Sequence, residues 1–190
     1  MIPSFEEVMR FTTTVSGSTA LEDADAFGLY SACLEVPRGG IVVETGCQLG
    51  RSSSLILQMA RAIGFHSIHI DPYTEQPEFL SNWVSMMHRL GGERTREFTF
   101  LCMESLKSSW LIQKLGPIDM CFIDGDHEYP GVMIDLALIA EQVRPGGVLT
   151  AHDYTNEGLP GVTRAISDYM VKGTWDPVGV FGTLGVWRRQ

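Results

Sequence analysis

The sequence predicts an α/β fold with a mixed, mostly parallel sheet that ends in an antiparallel hairpin. Three observations carry this. Short apolar runs alternate with amphipathic stretches, the pattern of βαβ units and a parallel sheet. One run, Ile118 to Ile123, leads straight into Asp124-Gly125-Asp126-His127-Glu128-Tyr129. Charged groups directly after a buried parallel strand stand where open α/β sheets bind ligands. Finally, two β-prone runs, Trp175 to Phe181 and Thr183 to Arg188, flank Gly182 and predict the hairpin.

The elements follow in order. Ser4 to Val15 and Glu22 to Val36 read as helices, with Phe5, Val8, Met9, Leu29 and Leu34 at apolar positions, placed to cover the site. Strands are expected at Ile41 to Val43, Ser67 to Ile70, Phe98 to Leu101, Met120 to Ile123 and Val148 to Ala151. Helices are expected at Ser52 to Ile63, Ser105 to Leu115, Tyr129 to Val143 and Val162 to Val171. The third of these closes on Arg144-Pro145-Gly146-Gly147, which supplies a stop and a turn. Thr12 to Thr19 is polar and turn-like but too short to separate domains. Between the second and third strands, Tyr73 to Gly92 places Phe79, Trp83 and Met87 at helical spacing, which suits a helix packed on the core. Its Trp83, Met86, Met87, His88 and Arg89 also suit an acceptor pocket, and one helix can do both.

A chain of 190 residues that is 44% hydrophobic fits one domain with one core. Residues 1–38 read as an N-terminal helical cap and 39–190 as the ligand-binding core. The formal net charge of -9 opposes attraction to nucleic acid or anionic lipid and favours a small-molecule partner. No apolar run is long enough for a membrane span, and Met1 to Arg10 carries Glu6 and Glu7 without a signal-peptide pattern, so a cytoplasmic location is expected. Cys33, Cys47, Cys102 and Cys121 are scattered without a C-x-x-C pair and are expected as reduced thiols, with Cys102 and Cys121 in core positions. Phe5, Phe11 and Phe27 can pack on their own core or meet a second copy in a homodimer.

The segment from Val42 to Ser52 places a strand, a glycine-bearing turn and a helix start in order, so that backbone N–H groups face a ligand. Its spacing, Gly46-x-x-x-Gly50, lacks the G-x-G-x-x-G of dinucleotide sites and disfavours a nicotinamide enzyme. Asp71 ends the next strand, where a carboxylate can accept two hydrogen bonds from ribose hydroxyls; alone, Asp71-Pro72 would equally be a turn.

Taken together, Glu44-x-Gly46-x-x-x-Gly50-x-Ser52, Asp71 and Asp124-Gly125-Asp126-His127 resemble class I S-adenosylmethionine-dependent methyltransferases. Within that class the resemblance is to the small-molecule O-methyltransferases that include macrocin and mycinamicin sugar methyltransferases and cephalosporin-hydroxylase-like proteins. It covers about Ile41 to Arg188. It implies a Rossmann-like, seven-stranded sheet with helices on both faces and S-adenosylmethionine lying over the first glycine loop. The cofactor residues it implies are Glu44, Gly46, Cys47, Gly50, Ser52, Asp71, Glu104, Ser105 and Asp124. Gly46 would admit the methionine part, Ser52 hold its amino-acid end, Asp71 take the ribose, and the Met103-Glu104-Ser105 turn take the adenine.

Methyl transfer to a hydroxyl is an in-line displacement that needs an aligned acceptor oxygen and a proton acceptor. An imidazole, with an ordinary pKa of about 6.5, suits the second task, and the resemblance carries the base role onto His127, beside Asp124. A capping or core role is the plainer reading of a single histidine. Ala151-His152-Asp153-Tyr154 ends the fifth strand next to Asp124. Metal-dependent relatives hold magnesium at the matching positions, here Asp124, His152 and Asp153. Imidazole suits manganese, iron or zinc better than magnesium, and the same residues can form a hydrogen-bonded cluster that works without metal. A non-catalytic nucleoside-binding protein, an N- or C-methyltransferase and a metal-centred hydrolase use the same groups.

Overall fold

A computed structural model describes residues 1–16, 21–74, 76–90 and 97–190. The described helices are α1 (Phe5–Ser16), α2 (Asp23–Leu34), α3 (Arg51–Met59), α4 (Pro77–Arg89), α5 (Ser105–Ile112), α6 (Tyr129–Leu138) and α7 (Pro160–Met170). The strands are β1 (Ile41–Thr45), β2 (His66–Ile70), β3 (Phe98–Leu101), β4 (Ile118–Ile123), β5 (Val143–Ala151), β6 (Trp175–Phe181) and β7 (Leu184–Arg189). They form a seven-stranded sheet in the order β3-β2-β1-β4-β5-β7-β6. β1 to β5 pair in parallel, and β7 lies antiparallel between β5 and β6.

Both faces of the sheet are apolar because both are covered. Val42, Met120, Phe122 and Val148 face one layer, where they pack with α1, α2, α3 and α4. Val43, Cys121, Ile123 and Leu149 face the other, with Ile112 of α5, Val132 and Leu136 of α6, and Ile166 of α7. Successive residues of one strand thus serve opposite cores.

The N-terminal helices are tied to α3. Thr12 and Ser54 are buried and 3.2 Å apart, and the Gln58 amide donates to Thr12 Oγ1 at 2.9 Å. Phe5 packs against the core, whereas Phe11 and Phe27 are exposed. The helix α4 buries Trp83, Met86 and Met87, as its spacing predicts. Residues 75 and 91–92 of the Tyr73 to Gly92 segment, and 17–19 of the expected Thr12 to Thr19 turn, lie outside the described residues, and the described part of that turn, 12–16, is the end of α1.

Several expectations need correction. The helix expected to run from Tyr129 to Val143 stops at Leu138; Ala140–Gln142 forms a 3-10 turn, and β5 already begins at Val143. Val143 pairs with Ile118 and Val148 with Met120, so Arg144-Pro145-Gly146-Gly147 bulges out of a strand and does not precede it. The bulge is pinned by Arg144, whose Nε donates to Asp119 Oδ1 at 2.6 Å, and Gly147 has no room for a side chain beside the Asp119 carbonyl. The helix after β1 likewise ends in a π-helical turn, Ala60–Gly64. Cys102 is exposed, whereas Cys33, Cys47 and Cys121 are buried. Burial pushes those three thiols well above their ordinary range, which leaves them protonated and inert.

Candidate functional site

Hydrogen bonds carry the sheet past its strand ends and align the candidate residues along one edge. Gly46 N–H donates to Ile70 O at 2.9 Å, Asp124 N–H to Thr45 O at 3.0 Å and His152 N–H to Ile123 O at 3.1 Å. Gly46, at φ 78, lies so close to Asp124 that a Cβ there would stand 1.9 Å from the Asp124 carbonyl oxygen. Only glycine lets the β1 loop touch the end of β4.

The first loop is supported from beneath. Glu44 is fully buried; its Oε2 accepts from Ser53 Oγ at 2.6 Å and lies 2.5 Å from His69 Nδ1. Trp83 Nε1 donates to Ser53 Oγ at 3.1 Å, which joins α4 to the same network. Glu44, Cys47 and His69 bring possible ligand atoms within 4.8 Å of one another, but His69 is already committed to Glu44 on one side and to Ser67 Oγ on the other. Glu44 meets the loop from below through Cys47 Sγ, 3.8 Å from its Oε2.

Asp71 is bound to the loop directly. Its Oδ2 accepts from Cys47 N–H at 2.8 Å and Gln48 N–H at 3.1 Å, and its Oδ1 from Tyr73 N–H at 2.8 Å. Tyr73 OH closes the ring by donating to Gln48 O at 2.8 Å, with Gln48 at φ 44 and Tyr73 at φ 49. Gly50 opens α3 in the left-handed region, and no side chain caps that helix start, so the amides of its first turn, around Ser52, suit a carboxylate. Asp71 N–H donates to Leu101 O at 3.2 Å, which sets the end of β3 beside it. Beyond that strand, Glu104 is the exposed residue before α5 and pairs with Lys107 at 3.0 Å, while Ser105 begins the helix half-buried. The cofactor chemistry fits this donor set: a carboxylate for hydroxyls, free helix-start amides for a carboxylate, and a glycine where the chain must come close.

At the ends of β4 and β5 the charged residues converge. His152 Nδ1 lies 3.1 Å from Asp124 Oδ1 and 3.2 Å from Asp153 Oδ2; His127 Nε2 lies 3.4 Å from Asp153 Oδ2 and 3.9 Å from Asp124 Oδ1. Asp153 adopts φ 57, rare for a residue with a side chain, and is fixed there by Asn156 Nδ2, which donates to its Oδ1 at 2.8 Å. Burial opposes charge on His152, yet its bonds to Asp124 and Asp153 outweigh it and push the imidazole up to about 10. Burial raises Asp124, against the hydrogen bond from His152. Burial would raise Asp153 too, but the hydrogen bonds from His127, His152 and Asn156 hold it far below the usual carboxylate range. The Asp153 bond, opposed by burial, raises His127.

The Asp124, His152 and Asp153 ligand atoms all lie within 4.8 Å of one another. Two carboxylates and an imidazole make a suitable donor set for a divalent cation, on condition that His152 gives up its Nδ1 proton to it. Sequence reasoning missed three contributors. Asn156 holds Asp153, Tyr73 braces the first loop, and the buried Asp25 of α2 stands 3.9 Å from His152 Nε2. Asp25 carries no motif of its own; only the fold brings it here.

An open groove of about 570 Å³ is lined by Tyr154, Asn156, Glu157, Pro160, Thr163 and Arg164 among others. It adjoins Asp153 through Asn156, and Gly161 of α7 packs on the backbone of His127, with a Cβ there only 2.7 Å from the His127 carbonyl. Among the described residues, no helix is long and apolar enough to cross a membrane.

Known structures share this architecture. An O-methyltransferase from Bacillus cereus, solved with S-adenosylhomocysteine, is similar over 100% of this chain and 93% of its own, at 16% identity and a TM-score of 0.69. TomG, an O-methyltransferase from Streptomyces achromogenes involved in tomaymycin synthesis and solved with S-adenosylmethionine, is similar over 100% and 92%, at 18% identity and a TM-score of 0.65. CalS11, a TDP-rhamnose 3'-O-methyltransferase of calicheamicin biosynthesis, is similar over 96% and 93%, at 12% identity and a TM-score of 0.69. No curated protein matches the sequence. The family model described as "Methyltransferase domain" matches residues 43–154, from β1 through the Asp153 turn. Since that span takes in the glycine loop, Asp71 and both acidic strand ends, the chain belongs to the methyltransferase-domain family and is an S-adenosylmethionine-dependent methyltransferase.

Proposed function

We propose that the protein methylates a hydroxyl of a small-molecule acceptor, with His127 as general base and Asp124, His152 and Asp153 as the holders of a divalent cation. The observation that carries this reading is the half-exposed His127 imidazole, 3.4 Å from Asp153 on the sheet edge that also carries the glycine loop.

S-adenosylmethionine, when bound, supplies a methyl group activated by its sulfonium. Asp71 takes the ribose hydroxyls while keeping the loop amides, since each carboxylate oxygen accepts more than one hydrogen bond. Gly46 and Gly50 let the methionine part approach, Cys47 borders it through its backbone, and Ser52 and the α3 amides hold its amino-acid end. Glu104 and Ser105 border the adenine. The groove walled by Tyr154 and Pro160 would admit the acceptor, and His127 would take its hydroxyl proton as the oxygen displaces the cofactor sulfur from the methyl carbon in line. Asp153 holds the imidazole toward the acceptor and stabilises the imidazolium that forms. Asp124, His152 and Asp153 suit manganese or magnesium, which would polarise the acceptor oxygen, and the imidazole favours manganese.

In this reading residues 1–190 work as one domain, with 1–38 as cap and 39–190 as cofactor-binding core, in the cytoplasm and without a nucleic-acid partner. The test is transfer of a labelled methyl from S-adenosylmethionine to a panel of hydroxyl acceptors with manganese, magnesium or chelator, with the methylated atom identified by mass spectrometry and NMR. O-methyl products that depend on metal support the reading. N- or C-methyl products, or full activity in chelator, refute its oxygen or its metal part respectively.

A further inference from the structure

We propose that Asp25 of α2 is a positioning residue for His152, selecting the ring orientation that presents Nδ1 to Asp124 and Asp153. The proposal rests on reading those residues as the methyl-transfer site. The imidazole of His152 is nearly enclosed, with 10% of its side chain exposed. Its Nδ1 side faces Asp124 and Asp153 at 3.1 and 3.2 Å, and its Nε2 lies 3.9 Å from Asp25 Oδ1 on the other side. A ring turned over about its Cβ–Cγ bond would offer carbon to both carboxylate sets, Cδ2 to Asp124 and Asp153 and Cε1 to Asp25. At 3.9 Å this is an ion-pair approach and not a hydrogen bond, and the negative charge of Asp25 behind Nε2 favours the orientation that points Nδ1 into the site.

Asp25 is itself immobilised. It is 2% exposed, and its Oδ1 accepts from Thr183 N–H at 2.7 Å, Leu184 N–H at 2.9 Å and Thr183 Oγ1 at 3.0 Å. Gly182, at φ 61, leaves no room for a Cβ, which would stand 2.8 Å from the same oxygen. The carboxylate is thus fastened to the turn between β6 and β7 and holds a fixed place behind the ring. Among the described residues, His152 is the one basic side chain within ion-pair distance of Asp25. Asp25 and Thr183 both fall outside residues 43–154, the span the family model matches. The N-terminal helix and the terminal hairpin therefore reach the site through one buried carboxylate. The same orientation serves His152 whether its Nδ1 meets carboxylates or a cation.

Asp25→Asn separates the two tasks, because the amide oxygen still accepts from Thr183 and Leu184 while the charge behind His152 is gone. Thr183→Val is the counterpart, since it removes one hairpin bond and keeps the charge. The variants are compared by kcat and KM, by calorimetric affinity for S-adenosylhomocysteine, by melting temperature and by ¹⁵N NMR of the His152 ring. Asp25→Asn should bind S-adenosylhomocysteine like the parent, lose about 10-fold or more in kcat and show altered His152 ring nitrogens. Thr183→Val should melt lower and keep the parent kcat. Parent kcat and parent ring signals in Asp25→Asn would overturn the proposal, and so would an equal kcat loss in Thr183→Val. If the parent transfers no methyl group, the ring signals still decide about Asp25, while the activity reading fails separately. If Asp25→Asn does not fold, Asp25→Ser takes its place: altered His152 ring nitrogens support the proposal and parent ring signals overturn it.

Discussion

His127 and Asp153 face each other at 3.4 Å with His127 still half-exposed, so this imidazole can meet an acceptor and keep a partner for the proton it takes. Removing the ring nitrogen should therefore affect chemistry and not cofactor binding. His127→Gln is expected to lower kcat by about 100-fold or more, with S-adenosylhomocysteine affinity by calorimetry within about 2-fold of the parent. The buried Asp135 of α6 gives a second residue-scale prediction. Burial pushes its carboxyl from 3.8 up to about 6, and its Oδ2 backs Gly125, next to Asp124. A carboxyl raised on folding contributes stability that is complete below its unfolded value near 3.8 and is lost as pH rises through about 6. At neutral pH its ionisation thus costs up to about 3 kcal/mol at 1.36 kcal/mol per unit. Asp135→Asn should raise the melting temperature at pH 7.5, and the gain should vanish below pH 4. Both residues are legible in the sequence only in part. His127 stands in a motif, but nothing local tells that Asp135 is buried or that Asp25 sits behind His152.

Among the elements, the first glycine loop is fitted to the end of β4, and α4 is joined to α3. Gly46→Ala forces a Cβ to 1.9 Å from the Asp124 carbonyl at φ 78, so the loop must leave the end of β4. S-adenosylhomocysteine affinity should fall by about 10-fold or more, since 1.4 kcal/mol of lost fit is already tenfold. Trp83, stacked on Phe100 at 4.3 Å and bonded to Ser53, joins α4 to α3; Trp83→Ala should cost about 3–5 kcal/mol in denaturant unfolding. Helical spacing alone makes Trp83 and Met87 readable as core residues. The start of β5 is not readable in this way, because the bulge lets Ile139, Ala140 and Val143 continue an apolar pattern that is helical only as far as Leu138. Cys102 misleads for a related reason: it lies one residue beyond β3, where a strand-like run has already turned to solvent.

For the molecule as a whole, the parallel sheet and its closing hairpin are legible because strand ends, glycine turns and acidic residues recur in one fixed order. The joins between distant parts are not. The carboxylate of Asp25 gathers α2, the β6–β7 turn and His152, and Asp71 gathers the β1 loop, Tyr73 and the end of β3. These depend on how layers stack, which local periodicity does not encode. On this reading the loop braced by Asp71 binds the nucleoside of S-adenosylmethionine. The deciding measurement is calorimetric titration of S-adenosylhomocysteine into the parent and into Asp71→Ala, with a nicotinamide dinucleotide as control. Micromolar binding to the parent, at least about 10-fold weaker binding to the variant and no binding of the dinucleotide are expected. Absence of S-adenosylhomocysteine binding to the parent, or equal affinity in Asp71→Ala, would contradict the reading.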